Sequence, residues 1–202
     1  MAPPAVSAHM DVTILLFDGF DELDAIGPYE VFQSAARYGA DSSASLVTLE
    51  PTGRVTARNG ALIEPHGTLE GETDLLLVPG GGWSDGDSPG VRREYDDGAI
   101  PETLAAYHER GIRVGSVCTG SLLLAGAGLL EGQPATTHHT ALEDLGELGA
   151  DVREERVVDN GDVVMAAGVT SGIDLALYLL DREHGAEVAD SVARELEHER
   201  AI

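Results

Sequence analysis

The chain contains no lysine, and this absence shapes its charge. Its 202 residues include 12 basic side chains, all arginine, against 36 acidic ones, for a formal net charge of -24 at pH 7. No basic cluster is present to meet phosphates, so nucleic acid is not an expected partner. The acids are scattered, which favours an adaptation to solvent over an acidic surface for a basic partner. Because such a charge repels itself unless salt screens it, the composition predicts a halophilic protein from a salty cytoplasm.

Cysteine and long apolar runs are also scarce. Cys118 is the only cysteine, so no intrachain disulfide can form, which fits a reducing, cytoplasmic compartment. The longest apolar run, 122–130, is far shorter than the ~20 residues of a membrane helix, so no membrane partner is expected. Residues 1–10 lack the pattern of a signal peptide and predict a disordered leader. The remainder, 11–202, is predicted to form one domain.

Short apolar runs alternate with helical patterns along the chain. Runs without polar alternation are typical of strands buried on both faces of a parallel sheet. The predicted strands are 12–17, 45–49, 55–58, 74–78, 112–117, 135–137 and 163–166, and the predicted helices are 28–37, 101–110, 119–130, 141–148, 171–181 and 188–198. This alternation predicts an α/β fold, a doubly wound sandwich with a mostly parallel sheet and helices on both faces.

Cys118 stands where one of these strands meets a helix. A turn at the carboxyl end of a strand and the start of a helix offers free backbone N–H groups that stabilise a thiolate. The position therefore predicts a nucleophile with a thiol pKa below its ordinary value. A buried structural thiol is the alternative, since free cysteine is among the most buried residue types.

Two further loops are expected to meet Cys118. The glycine run 79–82 could place backbone N–H groups against an anion forming in a reaction, or could simply be a turn that needs positive φ. It lacks the pattern of a nucleotide-binding loop. In the first loop, Asp24 is either a partly desolvated acid near the thiol or an N-terminal helix cap. Glu30 is either a solvated helix residue or a charge in the same cleft.

His138 and His139 form the only histidine pair in the chain. Neighbouring residues of a strand point to opposite sides, so one metal ion could hardly bind both, and neither a metal nor another cofactor is expected. One of the two could line the cleft. The other histidines, His9, His66, His108, His184 and His198, are interpreted as surface residues.

Five segments together resemble the ThiJ/PfpI superfamily, which has the class I glutamine amidotransferase-like fold. They are FDGFDELDAIGPYEVF at 17–32, VPGG at 78–81, SVCTGSLLLA at 116–125, ATTH at 135–138 and GVTSGIDLAL at 168–177. Within the superfamily, the segments are most similar to the isocyanide (isonitrile) hydratase branch. The resemblance runs in order from about Val12 to Gly185.

The resemblance implies a flavodoxin-like sandwich, usually a homodimer, that acts on a small-molecule substrate. It implies that Cys118 attacks an isocyanide carbon to give a thioimidate, that Asp24 handles the protons, and that water then releases an N-substituted formamide. The Thr119 hydroxyl completes the implied catalytic set. The implied substrate-binding residues are Gly81, Gly82, Gly120 and His139.

Two departures from the family pattern bear on function. Peptidase-like members carry histidine after the cysteine, and Thr119 stands there instead, which disfavours proteolysis. His139 stands where the hydratases usually have tryptophan, which implies a more polar pocket wall and leaves the substrate open. A glyoxalase or deglycase acting on α-oxoaldehydes, and a redox or stress sensor that oxidises Cys118, are the alternatives.

Overall fold

A computed structural model describes residues 9–84, 86 and 88–202. Its centre is a seven-stranded sheet in the order β10-β11-β7-β6-β1-β2-β5, parallel except for the β10–β11 pair. These strands are β1 (Met10–Leu15), β2 (Ser42–Thr48), β5 (Gly67–Thr68), β6 (Leu75–Val78), β7 (Arg113–Val117), β10 (Val157–Asp159) and β11 (Val163–Ala166). Two two-stranded ribbons complete the strands: β3 (Val55–Thr56) with β4 (Leu62–Ile63), and β8 (Pro134–Ala135) with β9 (Asp151–Val152).

Helices cover both faces of this sheet. One layer contains α1 (Glu22–Ala35), α6 (Ser171–His184) and α7 (Ala186–Glu195), which pack on one another. The other contains α2 (Val91–Asp97), α3 (Ala99–Glu109) and α4 (Ser121–Gly126), and α5 (Leu142–Glu147) packs beside α4. The all-buried run of β6 between these layers explains why that strand shows no polar alternation. The predicted α/β sandwich is therefore confirmed.

Two predicted helix bounds differ most from the structure. The first helix begins at Glu22 rather than at Pro28, because Asp21 accepts a hydrogen bond from the Leu23 amide and so caps the helix earlier. Pro28 lies inside that helix, where its ring packs near Gly172 of α6. The helix after Cys118 ends at Gly126 instead of 130, and Gly128 then turns the chain with a φ of 76°.

The predicted leader falls largely outside the described residues. Met10, the last residue of the predicted leader, already begins β1 and is buried. In the described ranges no helix has the length and apolar character needed to cross a membrane.

The connections of the sheet determine where a site can form. From β1 the chain moves outward to β2 in one direction, whereas β6 and β7 lie on the other side of β1. Open α/β sheets bind ligands at the carboxyl ends of the strands beside such a reversal. The loops after β1, β6 and β7 meet there, and they carry Asp24, the glycine run and Cys118.

Candidate active site

Cys118 lies on a strained elbow directly after β7. Its φ of 57° places a non-glycine residue in the left-handed region, which costs free energy and persists only where the surroundings enforce it. The Cys118 amide donates to Ala167 O at 2.9 Å, and the Thr137 hydroxyl donates to Cys118 O at 2.9 Å. Ser121 Oγ adds a bond to the same carbonyl at 3.2 Å. These contacts hold the backbone of the elbow in place.

Asp24 is wholly buried beneath this elbow, in the first turn of α1. Its Oδ2 atom accepts the Gly80 amide at 3.0 Å, whereas Oδ1 has no nitrogen or oxygen partner among residues of known placement. The cap of α1 is Asp21, so the helix-cap interpretation of Asp24 is wrong. Asp24 therefore has no local role in the helix and is available to the thiol.

Burial raises the pKa of both groups. Burial, reinforced by the charge of Asp21, raises the pKa of Asp24 to about 8, so this carboxyl is mostly protonated at neutral pH. Burial and then the charge of Asp24 raise the pKa of Cys118 to about 12, although backbone N–H groups of Val169 and Thr119 act in the opposite direction. The expectation of a lowered thiol pKa is not met, because desolvation outweighs the elbow amides.

The glycine run brings the β6 loop against the elbow. A Cβ atom on Gly80 would lie 2.5 Å from the Thr119 nitrogen, and one on Gly120 would lie 2.6 Å from Val78 O, so both positions require glycine. Gly81 and Gly82 have φ of 119° and 68°. The glycine run therefore both turns the chain at positive φ and lets the β6 loop approach the elbow closely.

Thr119 links this run to the reacting group. Its Oγ1 atom accepts the Gly81 amide at 2.9 Å, so that amide is occupied in the resting protein. The hydroxyl hydrogen of Thr119 is left for another acceptor, such as a substrate atom. Of these two groups, the Thr119 hydroxyl rather than the Gly81 amide has a hydrogen left to donate.

One cavity of about 430 Å³ opens above Cys118. Its lining includes Gly81, Gly82 and Thr119 from the predicted set, together with Asp21, Arg58, Trp83, Ser84, His138, Thr140 and Val169. Gly120 and His139 are not among the lining residues. Gly120 packs under β6, and His139 lines a separate cavity with Thr136 and Arg156. The placement of these two residues does not support direct contact with a substrate above Cys118.

His138 is the histidine that faces the cysteine. Its Nδ1 atom lies 2.9 Å from Thr140 Oγ1, and its ring stacks obliquely on His139 at 4.2 Å between centroids. Burial and the neighbouring His139 lower the pKa of His138, so it is mostly neutral at pH 7.

Two other residues considered in the sequence lie away from this cavity. Glu30 is exposed on α1. His198 is not a free surface residue, because its Nε2 lies 2.8 Å from the buried Asp174.

The model of the DJ-1/PfpI family matches residues 10–182, a span that contains all the loops described above. The chain belongs to the DJ-1/PfpI family. It is 35% identical to an isonitrile hydratase of Pseudomonas putida over 94% of this chain and 78% of that protein. It is 28% identical to a deglycase of Thermococcus kodakarensis over 77% of this chain and 88% of the other. A ThiJ/PfpI family crystal structure from Pseudomonas syringae has a TM-score of 0.82 at 28% identity, covering 95% of this chain and 76% of that one.

Sequence reasoning missed several lining residues of this DJ-1/PfpI site. Val169 lies in the GVTSGIDLAL segment. That segment indicates the family, but nothing in it indicates that the Val169 amide meets the Cys118 thiol. Trp83 donates from Nε1 to Asp144 Oδ2 at 2.8 Å, and the Arg92 guanidinium lies 3.8 Å from its ring centroid. These partners come from α5 and α2, and no local pattern could have paired them with Trp83.

Proposed function

We propose that the protein is a lyase, a hydratase that adds water to a small electrophile through Cys118, and that its substrate is an isocyanide. The observation that carries the proposal is the burial of Asp24 beneath the Cys118 elbow, with a pKa of about 8. A carboxyl with this pKa can both give and take a proton near neutral pH. The similarity to the isonitrile hydratase supports the choice of substrate.

In the first half of the proposed reaction, the Cys118 sulfur bonds to the terminal isocyanide carbon. The thiol proton moves through Asp24 to that same carbon, which gives the thioimidate R–N=CH–S–Cys118. No atom is lost in this addition. The Thr119 hydroxyl donates to the developing charge, and the Val169 and Thr119 amides stabilise the sulfur while it is anionic.

In the second half, water adds to the thioimidate carbon and the carbon–sulfur bond breaks. The product is the formamide R–NH–CHO, and the proton returns to the sulfur through Asp24. The mostly neutral His138 imidazole lines the same cavity and can orient the water by a hydrogen bond. The reaction consumes one water and restores the thiol and the carboxyl.

A second candidate is addition to an α-oxoaldehyde, which the similarity to the deglycase favours. There the thiol would add to an aldehyde carbon as a hemithioacetal, and the same carboxyl would move the proton. Oxidation of Cys118 in a redox sensor is the third alternative.

A substrate screen separates these candidates. Purified protein in high salt is given alkyl isocyanides and, separately, methylglyoxal, with Cys118→Ser as the matched blank. Formamide production that is lost in Cys118→Ser supports the hydratase. Turnover of methylglyoxal alone contradicts it.

The family resemblance also leads us to propose a homodimer, which sedimentation in the same buffer tests.

A further inference from the structure

Arg58 provides the guanidinium group that lines the cavity above Cys118. It follows the short strand β3 in the β3–β4 hairpin. Its backbone amide donates to Phe20 O at 2.8 Å, and the neighbouring Ala57 amide donates to Ala61 O at 2.9 Å. The hairpin is thus attached to the loop after β1, which places the cation at the same sheet edge as the reacting thiol.

The guanidinium has no partner within the described part of the chain, neither a carboxylate nor a hydrogen-bond acceptor. The chain has three times as many acids as arginines, so carboxylate partners are abundant in it. Six other arginines pair with carboxylates: Arg37, Arg113, Arg153, Arg156, Arg182 and Arg200. What distinguishes Arg58 from the other arginines without an ion pair is its place in the cavity that also contains Cys118.

The nearby carboxylates are held by other groups. Glu22 accepts the Asn59 amide at 2.9 Å through Oε1 and the Asn59 side chain at 2.7 Å through Oε2. Asp21, the acidic residue in the cavity lining, accepts the Leu23 amide as the cap of α1. Glu22 and Asp21 therefore form hydrogen bonds with the hairpin and with the start of α1, and neither pairs with Arg58.

Among the lining residues that the structure describes, none supplies a second fixed cation. His138 is mostly neutral, because burial and its neighbour lower its pKa, and Arg58 itself contributes to that lowering. Asp24 is protonated for most of the time at neutral pH. A guanidinium binds a carboxylate through two parallel hydrogen bonds, a geometry that a planar anionic group matches.

We infer that the substrate carries a carboxylate, which Arg58 binds while Cys118 attacks the electrophilic carbon at the other end. This inference rests on the proposed addition at Cys118 and names its substrate class: small electrophiles that are also acids. It also gives a reason for a cation in a cavity of a strongly acidic protein, since an anionic substrate otherwise meets net repulsion.

Alkylation of Cys118 tests this binding role without requiring the natural reaction. Iodoacetate and iodoacetamide both transfer a two-carbon group to the sulfur, with loss of iodide and of the thiol proton, but only iodoacetate carries a carboxylate. We measure the ratio of the two rates, iodoacetate over iodoacetamide, at fixed pH and salt. Cys118→Ser provides the blank for any other reaction.

Arg58→Gln should lower this ratio about two- to fivefold, the size expected for one exposed ion pair with good geometry. Arg58→Lys should restore part of it. Arg54→Gln is the matched control, because Arg54 lies in the preceding turn, lines a different cavity and gives the same change in net charge. Equal decreases in Arg58→Gln and Arg54→Gln, or no decrease in Arg58→Gln, would overturn the inference.

Turnover of isocyanoacetate and of its neutral methyl ester then tests the substrate itself. The wild type should prefer the acid, and Arg58→Gln should lose that preference with the ester rate little changed. A wild type that hydrates the ester as well as the acid would overturn the inference and leave the hydratase standing. If neither is hydrated, the proposed function fails, and the alkylation ratio still decides whether Arg58 binds a carboxylate.

Discussion

The Asp24 carboxyl and the Cys118 thiol form a buried pair in which the charge of Asp24 raises the pKa of Cys118, while a hydrogen bond from the thiol lowers the pKa of Asp24 by less than burial raises it. The Asp24 carboxyl accepts the Gly80 amide, and the Cys118 backbone is held by the hydrogen bonds of the elbow. Two such groups titrate as a unit. In the proposed reaction, the reactive form of the pair carries one proton and one negative charge.

The first prediction concerns the pH dependence of Cys118. Because the carboxyl has a pKa of about 8 and the thiol about 12, the pair should lose its first proton near pH 8. The rate of alkylation by iodoacetamide should rise with pH through that value. In Asp24→Asn the thiol titrates alone, and burial still raises its pKa, so the rise should move to higher pH. A wild-type rise centred below pH 7 would contradict this account.

The second prediction assigns the proton transfer to one carboxyl. Asp24→Asn should keep the fold but lower turnover ~10²–10⁴-fold, the usual contribution of a general acid or base. That loss corresponds to ~3–5 kcal/mol of transition-state stabilisation. Glu30→Gln is the control, since Glu30 is exposed on the same helix. Similar losses in both variants, measured as steady-state rates, would show that water or His138, rather than Asp24, moves the proton.

The third prediction concerns salt. With a net charge of -24, the folded protein should lose stability as ionic strength falls towards ~0.01 M, where the Debye length reaches ~30 Å. Melting temperatures in a series from low salt to ~1 M, where that length is ~3 Å, measure the effect. A flat series would mean that the acidic surface is not an adaptation to salt.

The fourth prediction concerns the buried carboxylate of Asp174 in α6. Burial alone would raise its pKa, but hydrogen bonds from His198 and Arg156 hold the pKa below its usual value. The stabilisation is therefore present above the unfolded pKa of about 3.9 and is lost as pH falls through the lower folded value. Asp174→Asn should lower the free energy of unfolding by about 2–4 kcal/mol at pH 7.

The control for that change is Asp190→Asn, which removes an exposed partner of Arg200. It should cost less than ~1 kcal/mol. Urea unfolding of both variants at pH 7 and pH 3 provides the comparison. The difference between wild type and Asp174→Asn should shrink at the lower pH, and a constant difference would show that the charge of Asp174 is not what stabilises the fold.

The fifth prediction concerns the close approach of Gly80 to the elbow. A methyl group there would lie 2.5 Å from the Thr119 nitrogen and 2.9 Å from Cys118 Cβ, so Gly80→Ala must displace the elbow. We expect a loss of ~1–3 kcal/mol in stability and a slower alkylation of Cys118. Gly53→Ala, which meets no atom within 4 Å, should change neither. Normal reactivity in Gly80→Ala would show that the elbow tolerates movement.

Much of the fold could be predicted because its signals are local. The apolar run of β6 and the turn after β7 identify buried parallel strands and the position of Cys118 without any knowledge of neighbours. The start of α1 was mistaken because proline usually marks a first turn, whereas here Asp21 caps the helix and Pro28 packs against α6. The β10 edge strand was missed because three residues carry little periodicity.

The amino-acid sequence by itself determined the acidic charge, the alternation of strands and helices, and the single cysteine at a strand-to-helix turn, since composition and short-range pattern contain these properties. Only the tertiary structure decided that Asp24 lies buried beneath Cys118, that His138 rather than His139 faces it, and that Arg58 lines the same cavity. These facts depend on loops far apart in the chain meeting at one edge of the sheet. Burial then sets the pKa values, and burial is a property of the packed molecule rather than of any segment.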